Sequence, residues 1–316
     1  MKKQIQTLFM IAALAIATPA SAQYTAGPFE ITGDVVFGAT VQTGKPPLDD
    51  ASDSTPKKIQ SLTQTAKTDT VVVPIIGLDL SLLHPESETM ITLSTMGDYA
   101  LSLDKGLGDM GVLTLGAGYF INEVWKDPYL TGTKRSRTDM EILSFGVGLD
   151  TIMQFPLAIH YDLETVSVDK DIAGDTNALL KRDGKIHTLD LSYLFFEGFS
   201  HNILISMHAS KGEIEGKSNA FQGGGMTLSH LYGGGAWDIQ TGIHYGKKDF
   251  DKKHPKFGKV RQEKSYGIEA SFRYHNPWGF ENWFVGVMAS AEKIDANIDF
   301  YDATLYSAGT MAGYQF

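Results

Sequence analysis

The chain has 316 residues, no cysteine, and 37 acidic against 27 basic residues, so its formal net charge is −10. This negative charge argues against nucleic acid as a partner. The lack of cysteine excludes a disulfide framework. Beyond residue 22, no apolar run reaches the roughly 20 residues that a transmembrane helix needs.

The first 22 residues have the layout of a secretory signal peptide. Lys2 and Lys3 precede an apolar run at 8–17, and Ala20 and Ala22 supply the small residues before a cut after Ala22. A buried N-terminal helix is the alternative interpretation. We predict that residues 1–22 are removed and that the mature chain is exported.

From residue 29 onward, apolar residues repeatedly occupy every second position, which is the pattern of strands with one apolar face. Pro128 weakens one of these segments, because proline cannot donate to a strand ladder. Twelve strands is therefore the alternative to the fourteen predicted at 29–43, 70–82, 89–98, 111–121, 123–131, 139–151, 156–168, 186–198, 201–211, 223–232, 236–249, 264–275, 282–294 and 303–316.

Strands can cross a bilayer only in a closed barrel, where every backbone group is paired. The sequence therefore predicts an all-β protein, in which residues 23–316 form a single transmembrane antiparallel β-barrel in the outer membrane of a Gram-negative bacterium. An even strand count puts both termini on the periplasmic side. The long polar connections at 44–69, 169–185 and 250–263 then face outward, and we expect 44–69 to be a mobile outer loop.

Aromatic residues cluster near the predicted periplasmic strand ends, as expected of an interfacial girdle. The set comprises Tyr119, Phe120, Phe195, Phe196, Phe199, Trp237, Trp278, Phe280, Trp283, Tyr314 and Phe316.

The same alternation predicts which polar residues line the lumen. They are Asp34, Asp162, Glu164, Asp190, Asp238, Glu269, Arg273 and Glu292, an acidic set in which Arg273 is the clear base. A narrow acidic lumen attracts cations and repels anions. The alternative is that these side chains only solvate the lumen.

Chemistry-bearing patterns are weak. His208 and Ser210 share a strand face, but such neighbours arise by chance in a polar lumen, and a nucleophile needs an oriented base. The inward histidines lack the short spacing of a zinc site. We therefore predict no enzymatic activity, no metal site and no cofactor.

The last strand ends on Tyr314 and Phe316. A terminal Phe with an aromatic residue two positions earlier resembles the signal read by the outer-membrane barrel-assembly machinery. We therefore expect that machinery and outer-membrane lipid as partners, together with small solutes.

Three stretches carry a family resemblance: residues 125–132, 248–257 and 297–302. Together with the signal peptide and the terminal Phe, they resemble a family of marine proteobacterial outer-membrane barrels known as a domain of unknown function. The chain is more loosely similar to other mid-sized porin-like or surface-lipoprotein export barrels. The resemblance implies a barrel and no particular activity. Asp-Pro and His-Pro within these stretches also favour turns.

For function, the sequence favours a passive or gated channel for small cationic or neutral solutes. One alternative is an export or assembly barrel that handles a protein partner, which should have a weak seam between its first and last strands. Another is a sealed structural barrel with surface-binding loops, in which 44–69 folds inside.

Overall fold

The computed structural model describes residues 24–53, 55–95, 99–197 and 200–316. Within them lie fifteen strands: β1 (Tyr24–Ala26), β2 (Phe29–Lys45), β3 (Asp69–His84), β4 (Thr89–Ser94), β5 (Tyr99–Gly106), β6 (Val112–Trp125), β7 (Arg137–Asp150), β8 (Leu157–Val168), β9 (Gly184–Glu197), β10 (His201–Ile214), β11 (Phe221–Gly233), β12 (Trp237–Lys253), β13 (Val260–His275), β14 (Trp283–Ala296) and β15 (Ala303–Gln315).

In the described residues, helical structure is confined to connections between strands. These residues form one α-helix, α1 (Ile172–Thr176), and short 3-10 helices at Pro85–Ser87, Gly108–Met110, Ile152–Gln154, Ala178–Leu180, Pro277–Gly279 and Asp299–Tyr301. No helix of the described residues has the length and apolar character needed to cross a membrane.

Strands β2 to β15 form one closed antiparallel barrel of fourteen strands. Each strand pairs with the next along the chain, and β15 pairs with β2 in continuous register from Thr304↔Lys45 to Gln315↔Asp34. Short β1 adds to the start of β2. The prediction of an all-β, fourteen-stranded antiparallel barrel is confirmed, and the alternative of twelve strands is wrong.

The barrel has an apolar outer face. On β2, Val35, Phe37 and Val41 are 41%, 48% and 46% exposed, whereas Val36 and Thr40 between them are buried. The same alternation recurs around the barrel, because successive side chains of a strand point to opposite faces. A continuous exposed apolar surface of this kind is the lipid-facing band of a transmembrane barrel.

The fourteen strands differ from the predicted set at β5 and β6. The structure has a strand at Tyr99–Gly106 that the sequence analysis missed, and a single β6 at Val112–Trp125 where two strands were predicted at 111–121 and 123–131. Pro128 lies beyond β6, in a loop. The two errors cancel in the count, but Tyr119 and Phe120 lie within β6 and not at the predicted periplasmic strand end.

The two ends of the barrel differ in their connections. At one end, here called the loop end, lie the long connections 46–68, 126–136 and 169–183; at the other, the turn end, connections such as 85–88 and 234–236 are short. Strand β2 starts and β15 finishes at the turn end. That this end is periplasmic remains a prediction.

Candidate functional site: the barrel lumen and its loop lid

The eight predicted lumen residues have restricted exposure. Asp238, Glu269 and Glu292 are buried, and Asp34, Asp162, Glu164, Asp190 and Arg273 are partly buried. Outer-face residues on the same strands, such as Leu189 on β9 and Ile268 on β13, are more than half exposed. The eight residues fall into groups at different heights along the wall.

Near the turn end, Asp238 is the centre of a charged group. The Asp238 carboxylate lies 2.6 Å from His275 Nε2 and 3.4 Å from the Arg273 guanidinium. Gln315 hydrogen-bonds the side chain of Asp34, which interacts electrostatically with Arg273. The structure thus brings together Asp34, Asp238 and Arg273 from three strands.

A second group follows the wall from β5 to β9. The Thr114 hydroxyl lies 2.7 Å from Asp104 and 3.1 Å from Asp150, whose carboxylate lies 2.7 Å from His160 Nε2. His160 also interacts electrostatically with Asp162 and Asp190. Of this group, only Asp162 and Asp190 were predicted from the sequence to line the lumen.

Several polar side chains of this wall lie over glycines of the neighbouring strand. A Cβ added at Gly148 would stand 2.5 Å from His160, one at Gly225 2.7 Å from His208, and one at Gly242 2.8 Å from Glu269. Gly146 stands in the same relation to Asp162, and Gly267 to His244. We call these positions glycine seats. Because no side chain occupies them, the polar side chains can lie against the wall.

Toward the loop end, Glu164 and Glu292 interact electrostatically with Lys248, which the sequence analysis did not select. Arg261 and Glu263 on β13 were also missed. The period-two pattern could have placed both cations on the inner face. Lys248 is separated from Asp238, and Arg261 from Arg273, by an even number of positions. Arg261 was lost because the predicted strand started at 264, whereas β13 starts at Val260.

A cavity of about 330 Å³, here called the vestibule, lies at this height. Asp49 lines it from the connection after β2. Glu164, Lys248, Arg261 and Glu263 line it from the wall.

Above the vestibule, connections at the loop end pack together into a lid, defined here by 46–53, 55–68, 126–136, 169–183, 254–259 and 297–302. Their apolar side chains form one buried cluster. It includes Leu48, Ile59, Tyr129, Leu180 and Phe300.

Backbone hydrogen bonds tie the first lid segment to others. The Leu48 N–H donates to Phe300 O at 2.9 Å, Gly132 N–H to Ile59 O at 2.8 Å, and Arg135 N–H to Lys57 O at 2.7 Å. The segment expected to be a mobile outer loop therefore has extensive contacts across the barrel mouth. It packs on other loops, because its few apolar residues cannot form a core alone.

Arg135 holds the lid together from inside. Its guanidinium donates to the backbone oxygens of Leu48 at 2.6 Å and Pro128 at 3.0 Å, and also to that of Pro56. It stacks on the Trp125 ring at 4.3 Å. Only 2% of the residue is exposed. Burial lowers the pKa of Arg135 to about 10, so it remains charged at neutral pH.

Three lid segments meet in a buried triangle. The hydroxyls of Tyr129 and Tyr301 lie 2.9 Å apart, and His254 Nε2 lies 3.0 Å from each. Lys256 N–H donates to His254 Nδ1 at 3.2 Å, so the neutral ring carries its proton on Nε2. Burial lowers the pKa of His254 to about 3, with further contributions from Arg261 and Lys256, and burial raises that of Tyr129 to about 12.

At the turn end, the predicted assembly residues lie on the barrel seam. Phe316 exchanges two backbone hydrogen bonds with Gly33, at 2.8 and 2.9 Å, and a Cβ at Gly33 would stand 2.8 Å from its ring. The Tyr314 ring lies 5.5 Å from that of Trp283. The predicted cleavage residues Ala20 and Ala22 lie outside the described residues, as does Phe199 of the predicted girdle.

Across residues 24–53, 55–95, 99–197 and 200–316, no group of three or more His, Asp or Glu side chains could hold a metal ion. The lumen histidines contact carboxylates singly, as in His160–Asp150 and His275–Asp238.

A comparison with family models matches residues 31–315 to "Protein of unknown function (DUF2860)". The chain belongs to the DUF2860 family. The predicted resemblance to a domain of unknown function is thereby confirmed. The three stretches on which that resemblance rested reach the lid, and they contribute Tyr129, His254 and Tyr301 to the buried triangle.

Solved outer-membrane proteins are similar in structure to this DUF2860 member. In-vitro folded OmpT of Vibrio cholerae has a TM-score of 0.46 at 9% identity, covering 94% of this chain and 100% of its own. The outer membrane channel DcaP of Acinetobacter baumannii has a TM-score of 0.46 at 10% identity, with the same coverage. OprD of Pseudomonas aeruginosa has a TM-score of 0.42 at 9% identity, covering 95% of this chain and 99% of its own. No curated protein matches the sequence.

Proposed function

We propose that the protein is an outer-membrane channel that conducts small cationic or neutral solutes and is gated by its loop lid. The observation that carries this proposal is the acidic, polar inner wall of a closed barrel whose outer face is apolar. Asp34, Asp162, Asp190, Asp238 and Glu269 occupy this wall on five strands. The side chains of an eight-stranded barrel fill its interior, whereas larger barrels leave room for an aqueous passage.

The charge of the wall supports a preference for cations. Toward the turn end, Arg273 is outnumbered by carboxylates, and it already lies beside Asp238. Uncompensated carboxylates in a narrow, low-dielectric passage concentrate cations and exclude anions. The lid supports gating, because its apolar core covers the loop end of the barrel.

The test is the conductance of the refolded mature chain in a planar bilayer under a salt gradient. Discrete steps with a cation-selective reversal potential are expected. Replacing Asp162 and Asp190 by Asn should move the reversal potential toward zero. The matched control is Asp139→Asn, because Asp139 is exposed on the outer face of β7. Anion-selective or non-selective steps in the wild type would refute the cation preference.

A sealed barrel is the second candidate, and the folded lid favours it. In that case the lid never opens, and correctly folded protein leaves the bilayer silent. The export alternative predicts a weak seam between the first and last strands. It gains no support from the continuous β15–β2 register.

We also propose that the mature protein reaches the outer membrane after cleavage at Ala22, with Tyr314 and Phe316 serving as its assembly signal. Phe316 supports this role because it completes the seam against Gly33. Deleting Phe316 should reduce the heat-modifiable, membrane-inserted fraction in cells. Unchanged insertion would refute the signal, and accumulation of the full precursor in the cytoplasm would refute export.

A further inference from the structure

Two cationic side chains, Arg261 and Lys248, line the vestibule. Arg261 is 9% exposed, and its guanidinium lies between two rings, 3.6 Å from the centre of Phe250 and 4.0 Å from that of Tyr301. Stacking on both faces fixes the plane of the guanidinium and leaves its N–H edge for hydrogen bonding.

Within the described part of the chain, one donor of that edge is not satisfied. Arg261 Nε is buried without a hydrogen-bond partner, and its ionic neighbour Glu263 lies 3.4 Å away. A guanidinium has five N–H donors and matches a carboxylate in bidentate geometry. A buried donor without an acceptor is costly, so its retention indicates a ligand that supplies one.

Lys248 provides a second cation on the next strand, β12. Its ammonium lies 4.8 Å from the Phe221 ring and interacts electrostatically with Glu263, Glu164 and Glu292. Lys248 and Arg261 line the same cavity. Their charges and N–H donors fit one carboxylate.

The same cavity also contains carboxylates. Asp49 enters from the lid, and Glu164 and Glu263 enter from β8 and β13. Burial raises the pKa of Asp49 to about 6, in spite of the opposing effect of Arg261, so its charge at neutral pH is held at a cost. An ammonium group beside Asp49 would offset that cost.

We propose that the vestibule is a binding site for a small zwitterion, with the solute carboxylate on Arg261 and Lys248 and its ammonium group beside Asp49. The aromatic rings of Phe250 and Tyr301 hold the guanidinium in place for the carboxylate. The cavity of about 330 Å³ lies at the lower end of the range for small-molecule sites, roughly 300–1,000 Å³. This inference rests on the proposed channel function and names a solute class for it.

Calorimetric titration of the detergent-folded mature protein tests the site with three probes of matched chain length: norvaline, pentanoate and pentylamine. Norvaline should bind. Each singly charged probe should have an affinity lower by about tenfold or more, and a tenfold difference corresponds to 1.4 kcal/mol. Equal binding of pentanoate, equal binding of pentylamine, or no binding of norvaline would overturn the proposal.

Variants assign the contacts. Arg261→Gln and Lys248→Gln should each weaken norvaline binding by about tenfold or more. Asp49→Asn should reduce the difference in affinity between norvaline and pentanoate, because it removes the carboxylate beside the ammonium group. The control is Lys264→Gln, since Lys264 is exposed on the outer face of β13. Heat-modifiable gel mobility identifies folded variants, and Lys248→Gln keeps the test decisive if Arg261→Gln misfolds. Full norvaline affinity in both folded variants would overturn the assignment.

Calorimetry separates this inference from the channel proposal because it requires no ion flow. A protein that conducts ions but does not bind norvaline refutes the zwitterion site alone. A protein that binds norvaline but never conducts refutes the channel alone.

Discussion

The lumen wall and the lid differ in how they pack: the wall presents polar side chains to the interior of the barrel, and the lid buries apolar ones. Along the wall, polar side chains such as His160 and Glu269 lie over glycines of adjacent strands, and strand register alone sets their neighbours. In the lid, an apolar core surrounds a few buried polar groups, among them Arg135 and His254, whose partners come from distant segments. The arrangement of the lumen wall is therefore determined by pairing between neighbouring strands, whereas the arrangement of the lid is determined by contacts between distant segments of the chain.

The largest expected effect comes from replacing Arg135, and it should destabilise the lid without destabilising the lumen wall. Arg135→Ala leaves three backbone carbonyls without their charged donor, at a cost of about 3 kcal/mol or more. Hydrogen exchange of the Leu48 and Gly132 amides should accelerate roughly 100-fold, while strand amides keep their wild-type rates. Mass spectrometry after exchange measures both regions at once.

Arg137 supplies the control for that experiment. It forms ion pairs with Asp53 and Glu123 at 2.7 and 2.8 Å, and both carboxylates are largely exposed. Exposed pairs contribute about 0–1 kcal/mol, so Arg137→Ala should change lid exchange far less. If both variants behave alike, or if the strands exchange along with the lid, the two regions are not independent.

The second expected effect is acid release of the lid through His254. A histidine whose pKa falls from 6.5 to about 3 on closure stabilises the closed lid fully above pH 6.5 and loses this contribution as the pH falls toward 3. Asp49 acts in the opposite direction. Because closure raises its pKa from 3.8 to about 6, the closed lid gains stability as the pH falls through 6.

Asp49→Asn removes the opposing contribution. In that background, lid opening should increase roughly 100-fold between pH 7 and pH 4.5, measured by exchange corrected for the intrinsic rate at each pH. Adding His254→Gln should abolish most of this dependence. A pH dependence that persists without His254 would show that another group opens the lid.

The smallest expected effect concerns the glycine seats. Gly267→Ala would bring a methyl group into collision with the His244 ring, so the imidazole must turn into the lumen. Overpacking of this kind costs about 1–3 kcal/mol, and unit conductance should fall. Gly116→Ala is the matched control, because no atom lies within 4 Å of a Cβ at that inner-wall position of β6. Equal conductance in the two variants would show that the seat does not set the width of the passage.

This contrast also explains what the sequence could predict. Most strands and the inner set from Asp34 to Glu292 follow from period two, which depends only on neighbours in the chain. Strand β5 was missed because the predicted strand 89–98 ran past Ser94, where β4 ends. Strand β6 was divided because Pro128 was assigned to a strand, although it lies in the lid.

The lid and vestibule were not predictable in this way. Tyr129 meets His254 across 125 positions and Tyr301 across 172, and no periodicity connects such residues. The composition of 44–69 indicated a loop, but it could not indicate that Leu48 and Ile59 would find apolar partners in other loops. Arg261 could be assigned to the inner wall only if β13 started at Val260, and the predicted strand started at 264.

The most direct test of the account compares single-channel records of the wild type and Arg135→Ala in a planar bilayer under a potassium chloride gradient. The account predicts rare, cation-selective openings in the wild type and a much larger open fraction in Arg135→Ala, with unchanged unit conductance and selectivity. A folded Arg135→Ala barrel that stays silent, or one that opens without cation selectivity, would contradict a gated acidic channel.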